Sequence, residues 1–523
     1  MTGREDAWRD SAAEVWAPTA AEMAALDHTA VERGLAAEGT LIEAAGRELA
    51  HRVAELWPGE PVCGLVGGGH NGADTLVALR TLAAWGRDVR AVQGGAAPPR
   101  PEVRAGWPVE LEPPASFAAS PPTGGVLIDG LLGTGASGPP RPPQAELIER
   151  ANALGLPVVA ADLPSGADPT SGAVPGACLR ADLTVCFGWP KLGLFHYPAR
   201  EFAGRVESVE IGLPPSGPDG PPAAARVITA RWVSGLLRPR PAGGHKGTSG
   251  YLLLAAGSRG MAGAAVLAAR SAYRSGAGIV RVLGDADNRE IVQRAVPGAI
   301  YASWPGGGAR DQVAWAHALA IGPGLGHGDD RRALVDELLA ARDGRPVVLD
   351  ADGLNLFAAD PEALADRLGP ADVITPHPGE LERLLGRPVG DDRPADAREA
   401  ADRFGCVVVV KGDPTLVALP DGPLRVAATG GPALAVGGTG DVLTGAVGAL
   451  LAGGYGAADA ATVGLLLTGL AAERTGFGDV GMVAEDIPDA IPGVRETIAT
   501  LGPGPSGAIR FVLWPAPRSV PGA

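Results

Sequence analysis

The chain has 523 residues and a formal net charge of −15, with 44 Lys+Arg against 59 Asp+Glu. That balance argues against general nucleic-acid binding, which needs clustered cations, and the length accommodates two or more domains with separate cores. Lysine is scarce: Lys191, Lys246 and Lys411 stand beside 41 arginines.

The 78 Gly and 49 Pro make about a quarter of the chain, yet 46% of residues are hydrophobic and fall in ordered runs. Folded domains with many turns are expected. Cys63, Cys178, Cys186 and Cys406 show no CxxC spacing, which speaks against a disulfide framework or zinc site and for a reducing cytoplasm. The start, MTGREDAWRD, lacks the apolar core of a signal peptide. The most apolar stretch, Val442 to Ala458, is broken by glycines and Tyr455, so it reads as buried helices, not a membrane span.

In chain order, Thr19-Ala-Ala-Glu22 is a capping box opening a helix through about Arg33. A second helix is predicted over Thr40 to Trp57. Then strands and helices alternate: strand Pro61–Val66, helix Ala73–Trp85, strand Asp88–Gln93, strand Gly125–Asp129, helix Gln144–Leu154 and strand Pro157–Asp162. Strands at Leu183–Phe187 and Gly204–Ile211 close this half. Leu213 to Pro222 is dense in chain breakers and reads as a linker. Beyond it a second α/β pattern starts: strand Gly250–Ala255, helix Gly263–Ser275 and strand Ile279–Gly284. Short buried strands follow at Ala318–Ile321, Pro346–Leu349, Val373–Thr375 and Val407–Lys411, then helices Asp441–Leu451 and Ala458–Glu473. Such alternation predicts mostly parallel sheets covered by helices on both faces. The domains expected are 1–222, 223–502 and a Pro/Gly-rich tail at 503–523.

In the first half, Gly67-Gly-Gly-His-Asn-Gly72 lies between a strand and a helix, a context suited to anion binding. No acidic residue ends the next strand, near Gln93, so a standard NAD-binding site is not expected. Asp129, before Gly133-Thr-Gly135, and Asp162, before Leu-Pro-Ser165-Gly166, also end strands. Ligands of open α/β sheets bind at such carboxyl ends, so the three loops can share one crevice.

These motifs, with Ala181-Asp-Leu-Thr184 and Pro190-Lys191-x-Gly193, resemble the NAD(P)H-hydrate epimerase family from about Thr19 to Pro214. The resemblance implies a Rossmann-like α/β/α sandwich, often dimeric. It implies Asn71, Asp129 and Ser165 as ligands of a potassium ion (K+) and Asp162 as the catalytic acid/base. It also implies a substrate site lined by His70, Asn71, Gly72, Ala73 and Asp74, and by Gly133, Thr134, Gly135, Ala136, Ser137, Gly138 and Pro139. The family's loop more often carries Asn at His70 and Gly at Ala73 and Thr75. Ala73 thus adds a methyl where backbone approaches phosphate.

In the second half, Gly437-Gly-Thr-Gly440-Asp441 precedes an apolar helix, an anion hole with a carboxylate in place to take a proton from a hydroxyl. Lys411-Gly-Asp-Pro-Thr415 begins at a strand end. This pairing resembles the ribokinase-like fold. His245-Lys246-Gly247, Gly322-Pro-Gly324-Leu-Gly326, Asp350-Ala-Asp352 and Thr375-Pro-His377-Pro-Gly-Glu380 are similar to motifs of ADP-dependent NAD(P)H-hydrate dehydratase, across about Arg238 to Pro492. Gly431 departs from the family's Asn. The resemblance implies that Lys411, Gly412, Asp413, Pro414, Thr415 and Gly440 hold ADP, that Ala264, Gly326 and His377 contact the hydrate, and that Asp441 is the base. Asp350, Asp352 and Glu380 either organise the site or bind magnesium (Mg2+).

The expectation is a cytoplasmic, homo-oligomeric bifunctional enzyme. It would epimerise the hydrates NADHX and NADPHX and dehydrate the S epimers with ADP, without a membrane or nucleic-acid partner. The alternative is a vitamin or sugar kinase with a non-catalytic N-terminal nucleotide-binding module.

Overall fold

The computed structural model describes residues 12–95, 101–213, 223–306, 308–390, 392–477, 480–501 and 509–513. The expected linker beyond Leu213, the first eleven residues and the tail beyond Leu513 lie outside these. The chain forms two compact units, residues 1–227 with 503–523, and residues 228–502.

The first unit is built on strands β1 (Val62–Val66), β2 (Val89–Gln93), β3 (Leu111–Glu112), β4 (Val126–Gly130), β5 (Val158–Ala161), β6 (Leu183–Phe187) and β7 (Arg205–Val209). They pair in parallel in the order β7-β6-β5-β4-β1-β2-β3. The residues of β1, β4, β5 and β6 are all buried. Such a sheet is covered on both faces, which explains runs like Val-Cys-Gly-Leu-Val without polar alternation. Helix Ala20–Glu32 opens on the expected capping box: the Glu22 amide donates to Thr19 Oγ1 (3.2 Å) and the Thr19 amide to Glu22 Oε2 (2.8 Å).

Two departures matter. The helix expected from Ala73 begins at His70, so the glycine loop shortens to Gly67–Gly69 and His70–Asp74 form a first helical turn. Close packing explains it: a Cβ at Gly72 would lie 1.9 Å from the Gly67 carbonyl oxygen. The second departure corrects the tail. Ile509–Leu513 forms a strand antiparallel to β7 and completes an eight-stranded sheet. Phe511, Val512 and Leu513 are buried, with the Phe511 ring 5.7 Å from that of Phe195. Four apolar residues outweigh the Pro/Gly-rich context.

The second unit carries β8 (Ala225–Ile228, whose last residue opens it), β9 (Tyr251–Ala255), β10 (Ile279–Asp285), β11 (Ile300–Trp304), β12 (Ala318–Ile321), β13 (Val347–Leu349), β14 (Val373–Ile374), β15 (Val407–Val410), β16 (Leu416–Ala418) and β17 (Leu424–Ala427). Their order is β11-β10-β9-β12-β13-β14-β15-β16-β17-β8. Pairing is parallel from β11 to β15 and antiparallel through β16 and β17. Helix Thr439–Ala452 crosses helix Ala262–Ser275 closely. A Cβ at Gly445 would fall 2.1 Å from the Ala268 carbonyl oxygen, so only glycine permits this approach. The contact aims the Gly440-Asp441 end at the carboxyl ends of the central strands. Among the described residues no helix is long and apolar enough to cross a membrane, and the four cysteines are buried free thiols.

Candidate active sites

In the first unit β1, β4 and β5 are neighbours, so the loops after them meet at one end of the sheet. Asn71 joins all three: its Nδ2 donates to the carbonyls of Ala161 (2.7 Å) and Leu132 (3.1 Å). Asp129, the penultimate residue of β4, is fully buried. Its Oδ1 accepts from Ser165 Oγ (2.6 Å) and the Leu131 amide (3.2 Å), and its Oδ2 from the Ser165 amide (2.7 Å). Ser165 Oγ accepts from the Leu132 amide (2.9 Å). Asn71, Asp129 and Ser165 therefore converge around Leu132.

Burial pushes the Asp129 carboxyl up to about 6 against the bonds from Ser165 and Leu131. Among the described residues no basic side chain hydrogen-bonds to Asp129. A buried carboxylate without a counter-charge is costly, and the three side chains all carry oxygen. Both Asp129 oxygens already accept protein hydrogen bonds, so a hard monovalent cation such as potassium would have to share them with Ser165 and Leu131.

Asp162 lies one residue past β5 at φ +69°, a strained conformation for a non-glycine residue. The turn brings Oδ1 to the Phe187 amide (3.0 Å) and the Lys191 ammonium. Lys191 is 1% exposed and also donates to the Phe187 carbonyl (3.3 Å). In sequence Lys191 stands in Pro-Lys-x-Gly as a compact ammonium at a place where a guanidinium does not fit, with nothing to name Asp162 as its partner. Its signal was its rarity.

A cleft of about 510 Å³ opens beside this pair. Asp27, His28, Glu38, His70, Asn71, Asp74, Thr134, Asp162 and Lys191 supply its polar groups, and its apolar walls include Met23, Leu41, Ile42, Phe187 and Ile211. Burial, then Asp162 and Asp27, push Asp74 well above the carboxylate range, with Lys191 opposing. Burial lifts Asp27, which the sequence reading passed over, to about 6. His70 sits exposed, its Nε2 2.8 Å from Glu38 Oε1.

Of the other expected lining residues, Thr134 and Gly135 face this cleft, whereas Gly133, Ala136 and Gly138 line a separate cavity of about 60 Å³. Gly72 and Ala73 are buried in the helix, and neither they nor Ser137 and Pro139 line either space. The Ala73 methyl is 0% exposed, so it points into the core, away from any ligand.

In the second unit Asp350, Lys411 and the first turn of helix Thr439–Ala452 meet at the strand ends. Lys411 Nζ donates to Asp350 Oδ1 at 2.6 Å and lies 3.7 Å from Glu380 Oε2. Burial opposes the ammonium, but Asp350, Glu380 and Asp441 together raise its pKa. The second Asp350 oxygen accepts from Thr444 Oγ1 (2.7 Å). Burial disfavours the Asp350 anion, but Lys411, Thr444 and Thr375 hold its carboxyl below the usual range.

Gly440 packs against this pair. A Cβ there would lie 3.4 Å from both Asp350 Oδ2 and Lys411 Nζ. Asp441 follows, pushed up to about 7 by burial and by Asp350 and Asp352, with Lys411 opposing. A carboxylate poised there can accept a proton near neutral pH.

The expected nucleotide loop, Lys411 to Thr415, joins β15 to β16. Thr415 Oγ1 donates to the Gly412 carbonyl (2.7 Å), and Arg393 donates to the Asp413 carbonyl (3.2 Å). Arg393 escaped sequence reasoning because it lies in a different helix with no motif around it.

On the hydrate side, the Gly326 amide donates to Asp352 Oδ2 (2.8 Å), and a Cβ at Gly324 would press on the Ala264 methyl. His377 caps helix Pro378–Leu385, its Nδ1 receiving the Glu380 amide (3.3 Å), while its side chain stays 48% exposed. It thus has a structural role whatever else it does. Both Asp350 oxygens have protein donors, and no described cluster of three His, Cys, Asp or Glu could hold a metal. These carboxylates fit site organisation and do not fit a protein-held magnesium cage.

Residues 252–492 match the family profile described as NAD(P)H-hydrate dehydratase, and residues 38–193 match that of the YjeF-related protein N-terminus. The chain is 36% identical over 433 residues to the bifunctional NAD(P)H-hydrate repair enzyme Nnr of Escherichia coli (strain K12), covering 81% of this chain and 82% of that protein. It is 33% identical over 532 residues to the enzyme of the same name from Moorella thermoacetica, covering 93% and 99%. Among solved structures it resembles an ADP/ATP-dependent NAD(P)H-hydrate dehydratase from Bacillus subtilis, co-crystallized with ATP/Mg2+. That match has 34% identity and a TM-score of 0.46, covering 52% of this chain and 98% of that one.

Proposed function

The chain belongs to the family of bifunctional NAD(P)H-hydrate repair enzymes, and from that premise we propose how its two units divide the work. The first interconverts the R and S forms of NADHX and NADPHX. The second dehydrates the S form with ADP, giving NAD(P)H, AMP and phosphate. The kinase alternative falls with the dehydratase match across the second unit.

The hydrates carry a hydroxyl at C6 of the reduced nicotinamide ring, beside the ring nitrogen. Epimerisation needs that hydroxyl to leave and water to return on the opposite face, each time with a proton moved. Asp162, fixed by Lys191 and the Phe187 amide in a walled cleft, carries that proton. The apolar walls limit the water reaching the planar intermediate. Potassium at Asn71, Asp129 and Ser165 would balance the buried Asp129 charge.

Hydroxide is a poor leaving group, so the second unit first converts it. Asp441 takes the C6 hydroxyl proton as the hydroxyl oxygen attacks the terminal phosphorus of ADP, and the bond to AMP breaks. The ring nitrogen then expels phosphate. The free N–H groups at the Gly440 helix start and the Lys411 ammonium stabilise the phosphoryl oxygens. Magnesium belongs to the nucleotide phosphates in this reading. The buried free thiols suit a reducing cytoplasm, and the family likeness carries the expectation of a homo-oligomer.

The observation that carries the reading is the placement of Asp441 next to Gly440, at a helix start packed against the Asp350–Lys411 pair. The test is an assay on mixed R and S hydrates with ADP and ATP in parallel, following the near-ultraviolet absorbance of reduced nicotinamide. Full conversion is expected. A plateau when the S form is exhausted refutes the epimerase assignment, and no recovery refutes the dehydratase.

A further inference from the structure

The three-residue turn Asp350-Ala-Asp352 follows β13. Ala351 adopts φ 49°, ψ −120°, a conformation L residues avoid and hold only where their surroundings impose it. The surroundings are tight here. A Cβ at Gly322, after β12, would fall 1.8 Å from the Asp350 carbonyl oxygen.

The strained residue sends its two neighbouring carboxylates to different elements. Asp350 bonds Lys411 (2.6 Å), the start of the nucleotide loop, and Thr444 (2.7 Å), on the helix whose first turn carries Asp441. Asp352 bonds the amide of Gly326 (2.8 Å), in the loop expected to meet the hydrate. One turn therefore touches the nucleotide loop, the base-bearing helix and the hydrate loop.

We propose that Asp350 and Asp352 are positioning residues that hold the dehydratase's nucleotide and hydrate subsites in register across the strained peptide at Ala351. The proposal rests on the dehydratase reading above. Phosphoryl transfer requires the hydroxyl oxygen and the terminal phosphorus to approach within about 3–3.5 Å before reaction. The new P–O bond forms to that oxygen, the P–O bond to AMP breaks, and the proton passes to Asp441. Neither turn carboxylate touches these atoms. Their contribution is the distance between the two loops that bring them.

The test uses the full chain with Asp350→Asn and Asp352→Ala. Dissociation constants for ADP with magnesium and for NADPH, a stand-in for the hydrate, are measured by calorimetry, with NADPH fitted as two sites because the first unit takes hydrate too, alongside kcat and both KM values for the pure S form. Asp352→Ala is expected to weaken NADPH about 10-fold and leave ADP within about twofold. Asp350→Asn is expected to do the reverse, and each is expected to lower kcat about 100-fold as register is lost. Equal weakening of both ligands by either variant, as general destabilisation would give, overturns the proposal, as does no change. Should Asp350→Asn not fold, Thr444→Val removes only the bond to the helix. A fall in its kcat with ADP affinity kept supports the proposal, and an unchanged kcat overturns it. A wild-type protein that binds both ligands without turnover refutes the dehydratase reading, while the split in dissociation constants still decides the positioning role.

Discussion

Asp441→Asn should raise the stability of the second unit while removing its chemistry. The carboxyl ionises near 3.8 unfolded and near 7 folded. Between those values the folded chain binds the extra proton, so stability declines as pH rises and the full penalty is present above about pH 7. A gap of about three pKa units corresponds to ~4 kcal/mol at most. Asp441 is partly solvated, and a carboxylate at a helix N-terminus gains a few tenths of a kcal/mol from the dipole, so about 1–2 kcal/mol is the realistic gain. For a unit of this size that is roughly 2–6 °C in Tm. Calorimetric melting of wild type and variant at about pH 5 and pH 8 measures it. The gain at pH 5 should be smaller than that at pH 8. Dehydratase kcat should fall by about 10²–10⁴-fold, the usual cost of a lost general base. Equal gains at both pH values, or a loss at pH 8, would refute the claim that burial and neighbouring carboxylates raise this group.

The remaining expectations concern single contacts. Lys191→Met strands the Asp162 carboxylate in a buried site, so epimerase activity should vanish and stability drop by about 3–5 kcal/mol; adding Asp162→Asn should restore much of the melting temperature and none of the rate. Lys411→Arg puts a planar guanidinium where an ammonium lies 2.6 Å from Asp350, and the ADP KM should rise at least about 10-fold, against no change for the exposed Arg259→Lys; equal ADP kinetics would remove the argument. Replacing potassium by a bulky tetraalkylammonium should slow R-hydrate consumption and leave ADP-dependent conversion of the pure S form untouched. Phe511→Ala should cost about 3–5 kcal/mol, read as an earlier melting transition of the first unit alone.

Much of both sites was legible because glycine and acidic residues at strand ends carry strong local meaning. Asp129, Ser165 and Asn71 meet as their motifs implied, since the loops they occupy follow adjacent parallel strands. What stayed hidden depends on distance in sequence. Nothing local to Lys191 says that it turns back on Asp162, and nothing local to Asp350 names Lys411 or Thr444 as partners. The helix start at His70 is not legible because Gly72 reads as a breaker until Gly67 is packed against it. The same packing answers the loop's departure from its family: Ala73 is tolerated because its methyl faces the interior. Ile509–Leu513 is not legible because a run of five residues among prolines and glycines gives no period long enough to read.

That last strand changes how the chain must be made. The first unit is a host whose sheet is finished by residues synthesised after the whole of its guest. On a ribosome the second unit can complete its sheet while the first still presents β7 as an open edge. An unpaired edge invites pairing with other chains, so the interval before residues 509–513 emerge is the first unit's exposed period. A premature stop anywhere in the dehydratase unit thus removes a strand from the epimerase unit too. The two activities are linked in synthesis, and separating them by cutting at the linker would leave an epimerase fragment with its sheet one strand short.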